Sequence, residues 1–123
     1  MNIIIDTHIF LWLAGDLKKV NDKYMRYIED TNNNIYLSSL SIAEIMIKKS
    51  IGNLDFDGDI LLILDEMGID VLDFDANSAL VLGTLPFHHR DPFDRMIISQ
   101  AITKQYKIIS VDKKFKLYNC ELL

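Results

Sequence analysis

Apolar positions along the chain alternate between short β-branched clusters and longer stretches with helical spacing. Ile3-Ile4-Ile5 is the kind of run a buried strand requires, and Asp6 ends it. Thr7 to about Ala14 reads as a helix closed by Gly15-Asp16. Asn21 to Asp30 reads as a second, with Tyr24, Tyr27 and Ile28 recurring at helical intervals. After the polar turn Thr31 to Asn34, a second strand is predicted over Ile35 to Ser39. Ser41 then opens a helix to about Ile51, stopped by Gly52-Asn53. Ser41-Ile42-Ala43-Glu44 matches a capping box, with Ser41 as N-cap and Glu44 reaching back from the third helical position. Asp57 to Met67 is predicted helical, Gly68 breaks it, and Ile69 to Leu72 is a third strand. Asp75 to Leu82 is a short helix that Gly83 to Pro86 ends. Asp91-Pro92 starts the longest apolar-striped helix, running to about Tyr106, with Asp91 at the N-cap and Pro92 at the first helical position. Lys107 to Ser110 is a fourth strand, and Asn119 to Leu123 is a candidate fifth.

Strands separated by helices predict an α/β fold, a parallel sheet covered on both faces. No linker, repeat or low-complexity segment divides residues 1–123, so one domain is expected. A domain of this size buries roughly two thirds of the surface its unfolded chain exposes, enough for a core without covalent staples. Cys120 is the single cysteine, which excludes an internal disulfide framework and a Cys-rich zinc site. The longest apolar runs, such as Ile60 to Leu64, fall far short of the ~20 residues that span a bilayer. The N-terminus has no basic n-region and no cleavage site, so a soluble cytoplasmic domain is expected.

In an open parallel sheet, ligands bind outside the carboxyl ends of the strands. The helices run back against the strands, so their N-termini share that edge. Asp6 stands at the end of the first strand, Asp112 just past the fourth, and Glu44 and Asp94 in the first turns of their helices. Each has a plain structural alternative. Asp6 could cap the first helix, Glu44 could close the capping box and pair with Lys48, and Asp112 could serve a turn. Asp94 heads a stripe continued by Ile98 and Ala101, which should face the sheet, and an inward carboxylate needs a partner. Asp73 and Asp75 follow a strand as well and meet the same edge rule.

Charge sharpens the picture. Lys and Arg number 13 against 18 Asp and Glu, a formal net charge of −5, and 14 of those acids are Asp. Such a balance argues against broad, non-specific nucleic-acid binding but not against a nucleic-acid substrate, because a bound cation reverses the local charge of a carboxylate cluster. Clustered carboxylates raise one another's pKa or demand a cation. Oxygen-only ligands select Mg²⁺ or Mn²⁺ over zinc, and Mg²⁺ held by carboxylates is common equipment for cutting phosphodiesters. His88-His89-Arg90 with Arg95 form a small basic patch nearby that could hold a phosphate, although a solvated loop is the commoner outcome. Thr7, Ser39 and Ser110 are placed to donate hydrogen bonds that orient the acids.

These residues resemble a PIN-domain ribonuclease, specifically a VapC-like toxin of a toxin–antitoxin pair, over essentially the whole chain. The opening Ile3-Ile4-Ile5-Asp6-Thr7-His8, with Trp12 after it, resembles the family's first motif. Leu37 to Ile45 resembles the second, with Glu44 as its acid. His89-Arg90-Asp91-Pro92-Phe93-Asp94-Arg95-Met96-Ile97-Ile98-Ser99-Gln100-Ala101 is similar to the long-helix signature, whose acid falls on Asp94, and Ser110-Val111-Asp112 to the fourth. The resemblance implies a three-layer PIN-like fold. It also implies a Mg²⁺-dependent endoribonuclease that cleaves RNA with metal-activated water, leaving a 5′-phosphate and a 3′-hydroxyl. Asp6, Glu44, Asp94 and Asp112 would then be the catalytic and metal-binding set, with Arg95 a possible substrate contact. It further implies a homodimer, a cognate VapB-like antitoxin and no membrane partner. One rival is a receiver-like phosphoacceptor domain, similar in length and α/β alternation. Receivers pair acids directly after the first strand and need a Lys ending the last core strand, whereas here Thr7 follows Asp6 and Lys107 begins its strand. The other rival is a catalytically silent PIN module that only binds.

Overall fold

The computed structural model covers residues 1–123. Its strands are β1 (Asn2–Ile5), β2 (Asn34–Ser38), β3 (Ile69–Leu72), β4 (Lys107–Ile109) and β5 (Glu121–Leu122). They form one 5-stranded sheet in the order β3-β2-β1-β4-β5, and every neighbouring pair is parallel. β1 is therefore central: Ile5 pairs with Leu37 on one side and Ile109 on the other. The chain leaves β1 toward β2 and later returns to its other side as β4. The carboxyl ends of β1 and β4 thus mark the point where the winding reverses, the place where such sheets open a crevice.

Helices cover both faces: α1 (Thr7–Gly15), α2 (Asp22–Glu29), α3 (Ser39–Ser50), α4 (Ile60–Met67), α5 (Ala76–Val81) and α6 (Pro92–Lys104), with short 3₁₀ turns at Leu17–Lys19 and Lys113–Leu117. Successive strand side chains point to opposite faces, which divides the core in two. Ile3 and Ile5, with Ile35 and Leu37, pack against Ile9, Phe10, Ile45 and Leu64. Ile4 and Ile108 meet Ile97, Ile98 and Ala101 of α6 together with Phe115 and Tyr118. The three Ile of β1 are fully buried, each worth roughly 1.5–3 kcal/mol of burial. The predicted three-layer α/β architecture is the observed one, and no helix is long and apolar enough to cross a membrane.

Element boundaries depart from the expectation where turn chemistry competes. Ser38, not Ser41, is the N-cap of α3: its side chain accepts from the Leu40 N–H at 3.1 Å. The chain passes from β2 into α3 without a loop, so Ser39 opens the helix rather than closing the strand, and the capping box is not formed. Ser41 and Glu44 are consequently turned inward and buried. The start of α4 is delayed to Ile60 because Gly58 sits at φ +140°, outside helical space, and Asp59 caps the helix through the Leu62 N–H. α6 stops at Lys104, where Gln105 adopts φ +59° and the Tyr106 N–H reaches back to the Ala101 carbonyl at 3.1 Å.

A side chain with a Cβ is strained in that left-handed conformation. Gln105 is exposed and makes no side-chain bond. Gln105→Gly is therefore expected to stabilise the fold by roughly 0.5–1 kcal/mol, after the extra chain entropy of Gly is subtracted. Urea denaturation of both proteins measures this; a loss of stability would contradict the account of how α6 ends.

Candidate active site

Asp6 directly follows β1, and its backbone N–H extends the pairing with β4 by bonding the Ile109 carbonyl at 3.1 Å. Its two carboxylate oxygens are divided between duties. Oδ1 caps α1 by accepting from the Ile9 N–H at 2.8 Å, and Oδ2 accepts from the Ser110 hydroxyl. Ser110 Oγ in turn accepts from the Asp112 N–H at 3.0 Å. Ser110 thereby ties the first acid to the last across the crevice. Burial pushes the Asp6 carboxyl above its ordinary range, with the Ser110 and Ile9 bonds opposing and Asp112 adding to the rise.

Glu44 is buried on α3. Thr7 Oγ1 lies 2.8 Å from both Glu44 Oε1 and Ser41 Oγ. A carboxylate only accepts, so the Thr7 proton goes to Glu44 and Ser41 closes the contact with its own. Lys48 Nζ donates to Glu44 Oε2 at 3.0 Å. That bond raises the Lys48 pKa, aided by the nearby charges of Asp91 and Asp94.

Asp91 and Asp94 divide the start of α6. Asp91 is the N-cap, with Oδ1 accepting from the Phe93 N–H at 2.9 Å and the Asp94 N–H at 3.4 Å, and Pro92 follows at the first helical position. Asp94 points toward the crevice. Burial, then the charge of Asp91, and then Glu44 and Asp6 push its carboxyl up to about 7, against a lowering by His89. Asp112 caps the 3₁₀ turn Lys113–Leu117 with Oδ1, which accepts from the Lys114 N–H at 2.9 Å. Its Oδ2 lies 2.7 Å from His89 Nε2. Burial raises its pKa, but the Lys114 and His89 bonds outweigh burial and leave the carboxyl below the usual range.

His89 Nε2 is also 3.1 Å from Asp94 Oδ2. Potential ligand atoms of His89, Asp94 and Asp112 all fall within 4.8 Å of one another. Asp6 and Glu44, expected in the same set, are not among these close ligand atoms: Asp6 is tied to Asp112 through Ser110, and Glu44 acts on Asp94 only through its charge. The donor set suits a hard divalent cation: oxygen donors with spare lone pairs, an excess of negative charge, and one carboxyl whose pKa is raised chiefly by burial.

The PIN domain family model matches residues 3–119 of the chain. The chain belongs to the PIN domain family. Solved structures of similar fold include VapBC2 of Rickettsia felis bound to a DNA fragment from its promoter, with 22% identity over 100% of this chain and 98% of that one at a TM-score of 0.77. VapBC-1 of nontypeable Haemophilus influenzae is 19% identical over 100% and 97% at a TM-score of 0.72. DNA-bound VapBC of Salmonella typhimurium is 16% identical over 100% and 97% at a TM-score of 0.72. At these identities the likeness is one of fold. No curated protein matches the chain.

Within this PIN domain, three expectations about individual residues need amendment. Ser39 does not face an acid; its Oγ accepts from the Phe74 N–H at 3.1 Å. Arg95 does not face the crevice. Its guanidinium donates to the Pro86 carbonyl at 2.9 Å and lies 3.3 Å from the Tyr118 hydroxyl, with the Phe87 ring 4.8 Å away, so it braces the loop before α6. His89 is buried between two acids rather than solvated. No local feature of the sequence marks this, because one of the acids that flank it, Asp112, is 23 residues away. Asp75 is settled as a structural cap, held to about 2 by the Ser78 N–H and by Lys104, and Asp73 is exposed beside it.

An acid whose pKa is raised on folding binds its proton more tightly folded than unfolded, so stability falls as pH rises between the two values. For Asp94 that window runs from 3.8 to about 7. In EDTA, Asp94→Asn is expected to melt higher than the parent at pH 8, by on the order of 5 °C. The gain should shrink toward pH 4, where the parent carboxyl is protonated in both states. Melting curves across that range check it; a variant no more stable at pH 8 would mean the crowding is relieved some other way.

Proposed function

We propose that this PIN domain is a divalent-cation-dependent endoribonuclease, the toxin of a toxin–antitoxin pair. Most support comes from the convergence of Asp94 and Asp112, backed by Asp6 and Glu44, at the crevice where β1 and β4 part. Carboxylates gathered at one edge serve no packing purpose, and their mutual repulsion is the cost of holding a cation. Asp94 and Asp112 are the open-side ligands in this reading, with Asp6 and Glu44 completing the set. When bound, a divalent cation polarises a phosphodiester and lowers the pKa of a water, and all-oxygen donors favour Mg²⁺, with Mn²⁺ substituting.

The chain's own residues do the positioning. Ser110 keeps Asp6 and Asp112 in register, and Thr7 and Lys48 fix the two oxygens of Glu44. A cleft of about 450 Å³ opens beside Ser110 and Asp112, with Lys23, Lys113 and Lys116 among its lining. Three ammonium groups flanking an acidic centre suit a polyanion that must approach against like charge, which favours an RNA strand over a small ester. The toxin role is supported by the VapBC assemblies that share the fold. Exposed Met46 and Ile47 on α3, Ile51 just past its end, and Leu61 and Leu62 on α4 offer apolar surface for an antitoxin or a second copy. Family membership leaves the receiver reading without support; a silent PIN module remains an outcome of the test.

The test is cleavage of purified RNA by the isolated chain. Activity is expected with Mg²⁺ or Mn²⁺ and none in EDTA. Asp94→Asn should lose on the order of 100-fold or more, whereas Asp91→Ala should lose about 1 kcal/mol of stability and keep most activity. Cleavage that persists in EDTA would refute the cation, and a folded, Mg²⁺-loaded chain without activity would identify a binding module. In cells, expression alone should arrest growth and co-expression of the adjacent small gene should restore it, read as colony counts. Harmless accumulation of active protein would remove the toxin role while leaving the nuclease.

A further inference from the structure

His89 is the only basic side chain buried in the fold, and its two ring nitrogens have opposite partners. Nδ1 lies 3.0 Å from the backbone nitrogen of Asp91. A backbone N–H only donates, so Nδ1 carries the lone pair and the proton of the neutral ring is on Nε2. Nε2 in turn is 2.7 Å from Asp112 Oδ2 and 3.1 Å from Asp94 Oδ2. A protonated ring nitrogen has no lone pair to offer a cation, although His89 stands among the potential ligand atoms. The ring is held in place as well. The His89 N–H donates to the Tyr118 hydroxyl at 2.7 Å, and the Phe115 ring stands nearly edge-on to it with centroids 6.4 Å apart. Rotating the imidazole would break the Asp91 bond and expose a backbone donor at the start of α6.

We infer that His89 is a positioning residue and not a metal ligand: its Nε2–H holds the Asp112 carboxylate beside that of Asp94, whose Oδ2 lies 3.1 Å away, so that the other lone pairs of both acids converge on a divalent cation. This rests on the cation-dependent reading given above. Two like-charged carboxylates on separate elements would otherwise swing apart, and a fixed N–H between them removes that freedom before the cation arrives. In the common arrangement a histidine binds metal and a carboxylate orients it from behind. Here the order is reversed, with the carboxylates in front and the imidazole behind.

The decisive measurement is on the unaltered chain: ¹⁵N-labelled protein, with long-range ¹H–¹⁵N correlation of the His89 ring recorded without and with Mg²⁺. The Nε2-protonated form is expected in both, while resonances around Asp94 and Asp112 shift on Mg²⁺ addition. Calorimetry with Mn²⁺ supplies the second readout. His89→Leu should weaken Mn²⁺ binding about 10–100-fold, and His89→Gln, whose amide presents an N–H near the Nε2 position, should recover most of it. Loss of the Nε2 proton when Mg²⁺ binds would make His89 a ligand and overturn the inference. So would undiminished Mn²⁺ binding by a His89→Leu protein whose circular dichroism matches the parent. Should that variant not fold, the ring proton in the unaltered chain still decides. If the unaltered chain binds neither ion, the cation-dependent reading itself fails and this inference with it; normal binding with a displaced ring proton overturns the inference alone.

Discussion

Withdrawing Asp6, Glu44 and Asp94 from water beside Asp112 at one edge of the sheet is the constraint around which the site is arranged. A parallel sheet brings strand ends and helix starts to one edge, and this chain puts Asp6, Asp94 and Asp112 there, with Glu44 one turn into α3. The fold tolerates the crowding by giving the acids fixed donors: Ile9 and Ser110 for Asp6, Thr7 and Lys48 for Glu44, Lys114 and His89 for Asp112. Asp94 has no backbone donor and only the longer contact with His89. Burial, and then the charge of Asp91, push its carboxyl up to about 7 with few donors to oppose them. The helix N-termini of α1 and α6 add partial positive charge at the same edge.

Functional and structural duties are combined in single side chains. Asp6 and Asp112 each use one oxygen as a cap and turn the other toward the crevice. The cap fixes the rotamer, so the second oxygen, which meets Ser110 in Asp6 and His89 in Asp112, is held by the start of a helix rather than by a flexible stem. Behind them a second tier does purely mechanical work. The Tyr118 hydroxyl accepts from the backbone N–H groups of His88 and His89, and Arg95 clasps the carbonyls ahead of them. The loop that carries His89 is thus fastened at both ends by residues that never face the crevice.

Much of this was legible in the sequence. The β-branched run Ile3-Ile4-Ile5 has one reading, and Asp91-Pro92 has one geometry, because Pro fixes its own φ and lacks the N–H that a helix start does not need. Asp6 and Asp112 follow strands and Asp94 lies in the first turn of α6, as the edge rule expects, whereas Glu44 sits in the second turn of α3 because that helix starts at Ser39. Local chemistry with more than one solution was not legible. Ser38 and Ser41 are equally good caps by composition, and what selects Ser38 is a long-range matter: Ser41 and Glu44 are needed by Thr7, distant in sequence. Arg95 looked free because its partners are backbone carbonyls, which leave no mark in a sequence. His89 sat in a run of basic residues that reads as solvated unless one knows that Asp112 lies beneath it.

The bond from Ser110 to Asp6 joins residues 104 positions apart, and it has a bearing on how the chain is made. β1 and the first acid leave the ribosome before β2 and Glu44. The neighbour that completes β1 on its other side is β4, which is translated about a hundred residues after it. Until it arrives, β1 has an open edge, Asp6 lacks Ser110, and Asp112 does not yet exist. A nascent chain therefore emerges with its acids scattered, and the acidic edge assembles only after Ser110 and Asp112 have been made. Until then the early acids share no common edge, so the site stays unfinished on the ribosome for as long as translation takes to reach β4.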